Sequence, residues 1–409
     1  MNNSNTLNLY SLFREDKAFL LYCLSTAFII IFSIYAMKEW SLLVKRPIIM
    51  IACCVPWVII FFKTFKNWFL DHTLRKIIIL IGLLAVLSFV NVVFSDNQLA
   101  SIKGLGLFFM SGIMIFAASL FLLNTKPKQN VFFWLCTIIL LMLCILGLYE
   151  FVAFALKDGI KIYAEYPVFL VYDNPLPAGS MLAMLSVGPL FLLIRVKHQG
   201  EKYFLSACLG MAVGVIFMIG ERGPLLSIIV MLLSFGLFNK QMIRILCGVV
   251  LIGGGVFYFK ESLPILHQDK FKYWGGLTYR LEAYPVAFKI FKEKPIYGIG
   301  YNTPATKYLP MDYVPIIHLH EPWSKTYNSF YRGFMGSNGV LDNIFLTFLV
   351  EMGGPFFLLY FGSLFYLILF ARRVGEKNKY FRPEMILFFV FLSGFLVNAM
   401  VFDILKYPS

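Results

Sequence analysis

Residues 131–156 read VFFWLCTIILLMLCILGLYEFVAFAL, with Glu150 as the one charged side chain. A helix rises about 1.5 Å per residue, so this run is long enough to cross the ~30 Å hydrocarbon core of a bilayer. The rest of the chain repeats the pattern. Further apolar runs lie near 18–36, 46–62, 76–94, 102–123, 177–194, 203–220, 224–239, 243–259, 340–371 and 383–404. The 409 residues are 59% hydrophobic and 14% charged, with mean hydropathy +0.76; soluble proteins carry about 25% charged residues. Backbone polar groups in lipid must be satisfied within the segment, which helices achieve. The short alternating strands of a membrane β-barrel are absent. The expected fold class is therefore all-α, a polytopic membrane helix bundle of about 11–12 transmembrane helices. The run 340–371 is too long for one straight span, and Gly353-Gly354-Pro355 is expected to divide it into a half-helix and a full span.

One hydrophilic connection stands apart in length, residues 261–338. The organisation expected is residues 1–260 as the first nine transmembrane helices, 261–338 as a large loop with amphipathic helices, and 339–409 as the C-terminal transmembrane helices. The net charge is +14. In a soluble protein that would suggest nucleic acid, but in a membrane protein basic residues hold loops on the cytoplasmic side. With a cytoplasmic N-terminus, the cytoplasmic connections hold 18 basic residues, among them Arg14, Lys17, Arg75, Lys128, Arg195 and Arg382. The short opposite loops hold 8, among them Lys38, Lys103, Lys161 and Arg222. This bias puts the large loop, Arg222 and the 157–176 connection on one outer face, the periplasmic side in a bacterium. No nucleic-acid partner is expected. All seven cysteines lie in apolar stretches, so neither disulfides nor cysteine metal sites are expected. Residues 1–17 are polar and the first apolar run is long enough to span, so no cleaved leader is expected.

Three segments on that outer face carry candidate chemistry. Arg222 lies in the turn Gly220-Glu221-Arg222-Gly223-Pro224. It is either an arginine snorkelling to the interface or an anion ligand, since flanking glycines admit a headgroup and a helix starting at Pro224 favours phosphate. Within the loop, Leu281, Tyr284, Ala287, Phe288 and Phe291 recur at helical spacing, with Lys289, Lys292 and Lys294 elsewhere, as in a helix lying on a membrane surface. Arg280 stands at its start. A second arginine on the face of Arg222 would complete a bidentate phosphate clamp. Pro295-x-x-Gly298-x-Gly300 ends the helix as a turn. The pair Asp342-Asn343 enters the apolar run at 340–371, with Asp342 as a helix cap or as a base taking a proton from a sugar hydroxyl. His318 and His320 are spaced poorly for a metal. They are read as loop histidines or as substrate contacts, along with Tyr279 and Tyr284. Glu351 lies inside an apolar segment, is costly unless paired, and is expected to face the bundle. The dense Tyr and Trp of the outer loops suit interfacial anchoring and sugar stacking alike.

These pieces together resemble the O-antigen ligase and O-antigen polymerase family of bacterial surface-polysaccharide enzymes. The resemblance rests on Arg222-Gly223-Pro224, on the stretch from Arg280 through Lys294-Pro295-x-x-Gly298-x-Gly300, and on Asp342-Asn343-x-x-Leu346 followed by Glu351-x-Gly353. Asp173-Asn174-Pro175 with Ala183 adds to it; the likeness covers roughly residues 170–375. It implies a multi-pass protein of the bacterial inner membrane with its active site facing the periplasm. The donor would be an undecaprenyl-diphosphate-linked oligosaccharide whose diphosphate is held by Arg222 and Arg280. Asp342 and Asn343 would be catalytic, and Asp173 and Asn174 would line the substrate. The resemblance implies no metal and no cofactor. A glycan acceptor would attack the anomeric carbon with inversion, and membrane lipid and a chain-length regulator are the further partners it suggests. The ligases carry His-Asn where this chain has Asp342-Asn343, which favours a polymerase joining repeat units over a ligase transferring glycan to lipid A-core. A transporter of lipid-linked oligosaccharide is the alternative from another class, but mid-span charges are few and no repeat is visible.

Overall fold

The computed structural model describes residues 16–27, 72–109, 119, 122–158, 175–219, 222–238, 275–303, 341, 343–377 and 382–401. The described residues contain helices and no strand, and the chain is an all-α membrane helix bundle. In chain order the helices are α1 (Lys17–Ala27), α2 (His72–Val93), α3 (Gln98–Leu107), α4 (Lys126–Asp158), α5 (Pro175–Leu185) and α6 (Val187–Arg195). They continue with α7 (Gln199–Ile219), α8 (Arg222–Phe238), α9 (Gly275–Glu293), α10 (Ile344–Thr347), a π-helical turn (Phe348–Met352), α11 (Gly353–Lys377) and α12 (Arg382–Val401). Five segments among these are long and apolar enough to cross a membrane. The expected spans at 46–62 and 243–259, and most of 102–123, lie outside the described residues.

The outward faces explain the composition. On α2, Ile79, Leu83, Val86 and Val93 are exposed at helical spacing; on α4, Ile138, Met142, Ile145, Tyr149 and Val152 are exposed likewise. Such stripes would be an aggregation surface in water; they are the lipid face of a bundle. Inward, α4, α5, α7 and α8 share one core around Leu140, Leu182, Ala212 and Ile228, and α12 joins α6 to α8 in a second around Leu190, Met231 and Val390. Small residues let these helices approach. A Cβ on Gly188 would lie 2.9 Å from the Phe133 carbonyl oxygen, and one on Gly179 would lie 2.8 Å from Pro224 Cγ. Helices α5 and α6 form one span bent near Ser186. Pro189 removes a helical N–H there, and the Ser186 hydroxyl donates back to the Leu182 carbonyl at 2.8 Å.

Polar contacts segregate to the two ends of the bundle. At one end, Asp16 pairs with Lys128, and Arg195 donates to Asn130 (2.9 Å) and Gln129 (2.8 Å), pairs with Glu384 and stacks over Phe191. The starts of α1, α4 and α12 and the end of α6 therefore lie together, as alternating spans require. At the other end, the close of α2 meets the segment 295–303, Ser180 near the start of α5 donates to Asn398 near the close of α12, and Gly179 meets Pro224 at the start of α8.

Candidate functional site

At the second end a broken helix brings Asn343 and Tyr284 together. The run 340–371 divides where its sequence suggests. Asn343 adopts an extended backbone (φ −153°, ψ 116°), and its Oδ1 accepts from the N–H groups of Phe345 (2.9 Å) and Leu346 (3.2 Å). Asn343 is thus the cap of α10, and Asp342 is one residue outside it. After one α-turn the chain widens into the π-turn Phe348–Met352, and Gly353 (φ +81°, ψ 171°) ends it. That conformation is essentially restricted to glycine. Pro355 then sits in the first turn of α11, where its missing N–H costs nothing.

Helix α9 lies across this break. Among its described side chains, Ala283, Val286, Ala287 and Ile290 are buried, packed with Leu341, Leu346, Val350 and Ile299. Of the expected amphipathic face, Tyr284 and Phe288 are exposed, as an apolar face turned to a membrane surface would be, while Ala287 is buried with the strip of smaller residues. Close approach to a broken helix favours small side chains and leaves the aromatics of the next strip outward. Two expected residues do meet: the Asn343 amide donates to the Tyr284 hydroxyl at 3.4 Å.

The turn after α9 closes the arrangement. Residues 295–303 thread between the break and the end of α2. The N–H groups of Ile299 and Gly300 donate to the carbonyls of Val350 and Glu351 (each 3.0 Å), and Gly354 N–H donates to Pro295 (2.8 Å). Gly298 and Gly300 have φ +66° and +103°. A Cβ on Gly298 would lie 2.5 Å from the Glu351 carbonyl carbon, and one on Gly300 would overlap Ser95. The Gly-x-Gly, read from sequence as a plain turn, is therefore a docking element. Glu351 faces the bundle as expected: it is buried, and Oε2 accepts from Asn302 N–H at 2.7 Å. Lys294 pairs with Asp96, and Phe94 stacks on Tyr297 with centroids 4.5 Å apart.

Both arginines lie on helices. Arg222 is the first residue of α8, so that helix starts two residues earlier than Pro224, and Pro224 lies in its first turn. Arg280 lies in the second turn of α9, which begins at Gly275, and Tyr279 precedes it. Their side chains lie outside the described set, as do Asp342, Asp173, Asn174, His318 and His320 entirely. The close of α12 links the two regions: Asn398 bonds Ser180 beside the start of α8, and Ala399 packs with Ile344 and Phe348. Among the described residues no cluster of His, Cys, Asp or Glu is arranged to hold a metal.

Sequence reasoning overlooked Asn91. It is buried near the end of α2 and bonds both the turn and the break. A signal was present, because a lone amide in the apolar run 76–94 is costly in lipid unless it is paired.

The fold and site define a multi-pass membrane protein with a break inside one candidate span, against which α9 packs. Residues 204–361, spanning α7 through the break, match the family described as O-antigen ligase. The matched segment is less than half of the chain, and over that stretch the chain is similar to the O-antigen ligase family of membrane enzymes. Substrates of that general class are a lipid-linked glycan and an acceptor. No curated protein matches the chain.

Proposed function

We propose that this protein is a polysaccharide polymerase of the bacterial inner membrane, joining undecaprenyl-diphosphate-linked repeat units on the periplasmic side. The observation that carries the reading is the packing of α9 over the Asn343-capped break, with Tyr284 on Asn343, inside the segment that matches the family. Arg222, first in α8, and Arg280 on α9 are assigned to the donor diphosphate. Two guanidinium forks suit its oxygens, and the N-terminus of α8 adds a favourable dipole. The acceptor hydroxyl attacks the anomeric carbon from the face opposite the diphosphate and inverts it. The C–O bond to the diphosphate breaks as the new C–O bond forms, and the hydroxyl proton passes to Asp342. The leaving diphosphate gains charge in the transition state, where the arginines stabilise it most. Asp342 in place of the ligases' histidine favours repeat-unit joining over transfer to lipid A-core. The periplasmic orientation follows from the basic bias of the opposite loops. A chain-length regulator is the further partner this role suggests.

The test is Arg222→Ala and Arg280→Ala, scored by glycan ladders in cells with matched membrane levels. Each should lower polymer formation by about 100-fold or more, the cost of removing one transition-state charge contact. Normal ladders in both variants would refute the clamp. The deletion phenotype separates polymerase from ligase: a single repeat unit on the acceptor marks the first, and bare core with lipid-linked polymer marks the second.

A further inference from the structure

The N-terminal half of the chain takes part in the site through one side chain. Asn91 is 1% exposed. Its Nδ2 donates to the carbonyls of Tyr297 (2.5 Å) and Glu351 (2.6 Å), and its Oδ1 accepts from Tyr301 N–H (3.1 Å). One amide thus ties α2 to the returning turn and to the helix break, 206 and 260 residues away in sequence. Both donors face carbonyl oxygens and the acceptor faces an N–H, so only one amide orientation satisfies all three. Glu351 completes the tie from the break, through Oε2 to Asn302 N–H. Asn302 has φ +58°, so its N–H is aimed by a left-handed turn residue. Asn91 lies outside the matched segment 204–361.

We propose that Asn91 and Glu351 are positioning residues that latch the turn 295–303 into the helix break and thereby hold α9, with Arg280 and Tyr284, over Asn343. The proposal rests on the glycosyltransferase reading for its effect on activity, but the latch itself is a statement about the loop. The turn directly follows α9, and the Lys294 N–H is still bonded to the Ile290 carbonyl. A turn that leaves the break therefore takes the C-terminal end of α9 with it. Chemistry sharpens the expectation. Asn91→Asp is nearly isosteric, yet it aims an oxygen at two carbonyl oxygens. Glu351→Gln retains an oxygen acceptor for Asn302.

The experiment uses the full chain in detergent and in cells. Limited proteolysis of segment 261–338 reads the latch without any glycan. Asn91→Asp should be cut at least about tenfold faster than wild type, the factor set by losing one buried hydrogen bond. Polymer formation should fall with it at unchanged membrane level and with unfolding of the bundle still cooperative, and Glu351→Gln should stay close to wild type in both. Wild-type cleavage in Asn91→Asp, or loss of cooperative unfolding of the bundle, would overturn the latch. Positioning is then separated from any other role by Asp96→Cys with Lys294→Cys, whose thiols add to a short bis-maleimide bridge across their native ion pair. In the Asn91→Asp background the bridge should restore both protection and polymer. Restored protection without polymer would overturn the positioning role. A wild-type chain that shows the protease pattern but no polymer activity would instead sink the functional reading and leave the latch standing.

Discussion

Replacing Gly353 by Ala tests the architecture of the site at its tightest point. Gly353 has φ +81° and ψ 171°. A non-glycine residue in that region costs about 1–3 kcal/mol. The added Cβ would overlap the Ile296 carbonyl oxygen and lie 2.7 Å from its carbon and 2.9 Å from Gly298 N. These are backbone atoms, so no rotamer change relieves the clash. Relief requires the turn 295–303 to back away, and that breaks the bonds of Ile299 to Val350, Gly300 to Glu351 and Gly354 to Pro295. At about 0.5–1.5 kcal/mol net each, the three bonds and the strain sum to about 2.5–7.5 kcal/mol. Gly362→Ala is the matched control. It lies inside α11 with nothing within 4 Å of its Cβ, so Ala there should be neutral or stabilising by about 0.5–1 kcal/mol. Thermal unfolding of the purified protein in detergent, with loop proteolysis alongside, reads both variants. The reasoning is refuted if Gly353→Ala matches Gly362→Ala in midpoint and in cleavage rate.

Two further outcomes follow from the same geometry. Asn343→Ala removes the acceptor for Phe345 and Leu346 and should cost about 1 kcal/mol of stability, whereas Asn343→Asp keeps the cap; equal midpoints for the two variants would contradict the capping role. At the opposite end, Asp16 is affected most by burial, which raises its pKa, but the Lys128 hydrogen bond and charge and the Phe19 N–H outweigh this and leave it below 3.8. A depressed carboxylate stabilises the fold above its ordinary pKa and loses that contribution as pH falls through the lowered value. The wild-type advantage over Asp16→Asn, about 0.2–1 kcal/mol for a part-exposed pair, should be constant from neutral pH to about 5 and vanish below the ordinary carboxylate range. An advantage that disappears instead between pH 6 and 8 would rule Asp16 out as its source.

Composition and apolar run length were enough to specify a helical membrane bundle, because a segment such as 131–156 has no other way to satisfy its backbone in lipid. Local chemistry also announced the break. Gly353-Gly354-Pro355 cannot continue a helix, and the structure ends the π-turn at Gly353. Glu351 was legible as a bundle-facing carboxylate because burial of an unpaired charge is prohibitive. Other features depend on partners hundreds of residues away and could not be read from local pattern. Asn343 caps α10 because the backbone is extended there and its side chain reaches two N–H groups of the first turn. Helix α9 buried Ala283 and Val286 and left Tyr284 and Phe288 exposed because a close-fitting neighbour rewards small side chains, which a hydrophobic pattern ranks below aromatics. The role of Gly298 and Gly300 emerged only once α2 and the break were seen pressing on either side of the turn. Sequence by itself determined that the chain is a helical membrane bundle, since that is a transfer free energy summed along short stretches. Tertiary structure alone decided that Asn91 belongs to the site, since a hydrogen bond spanning 260 residues leaves no periodicity to find.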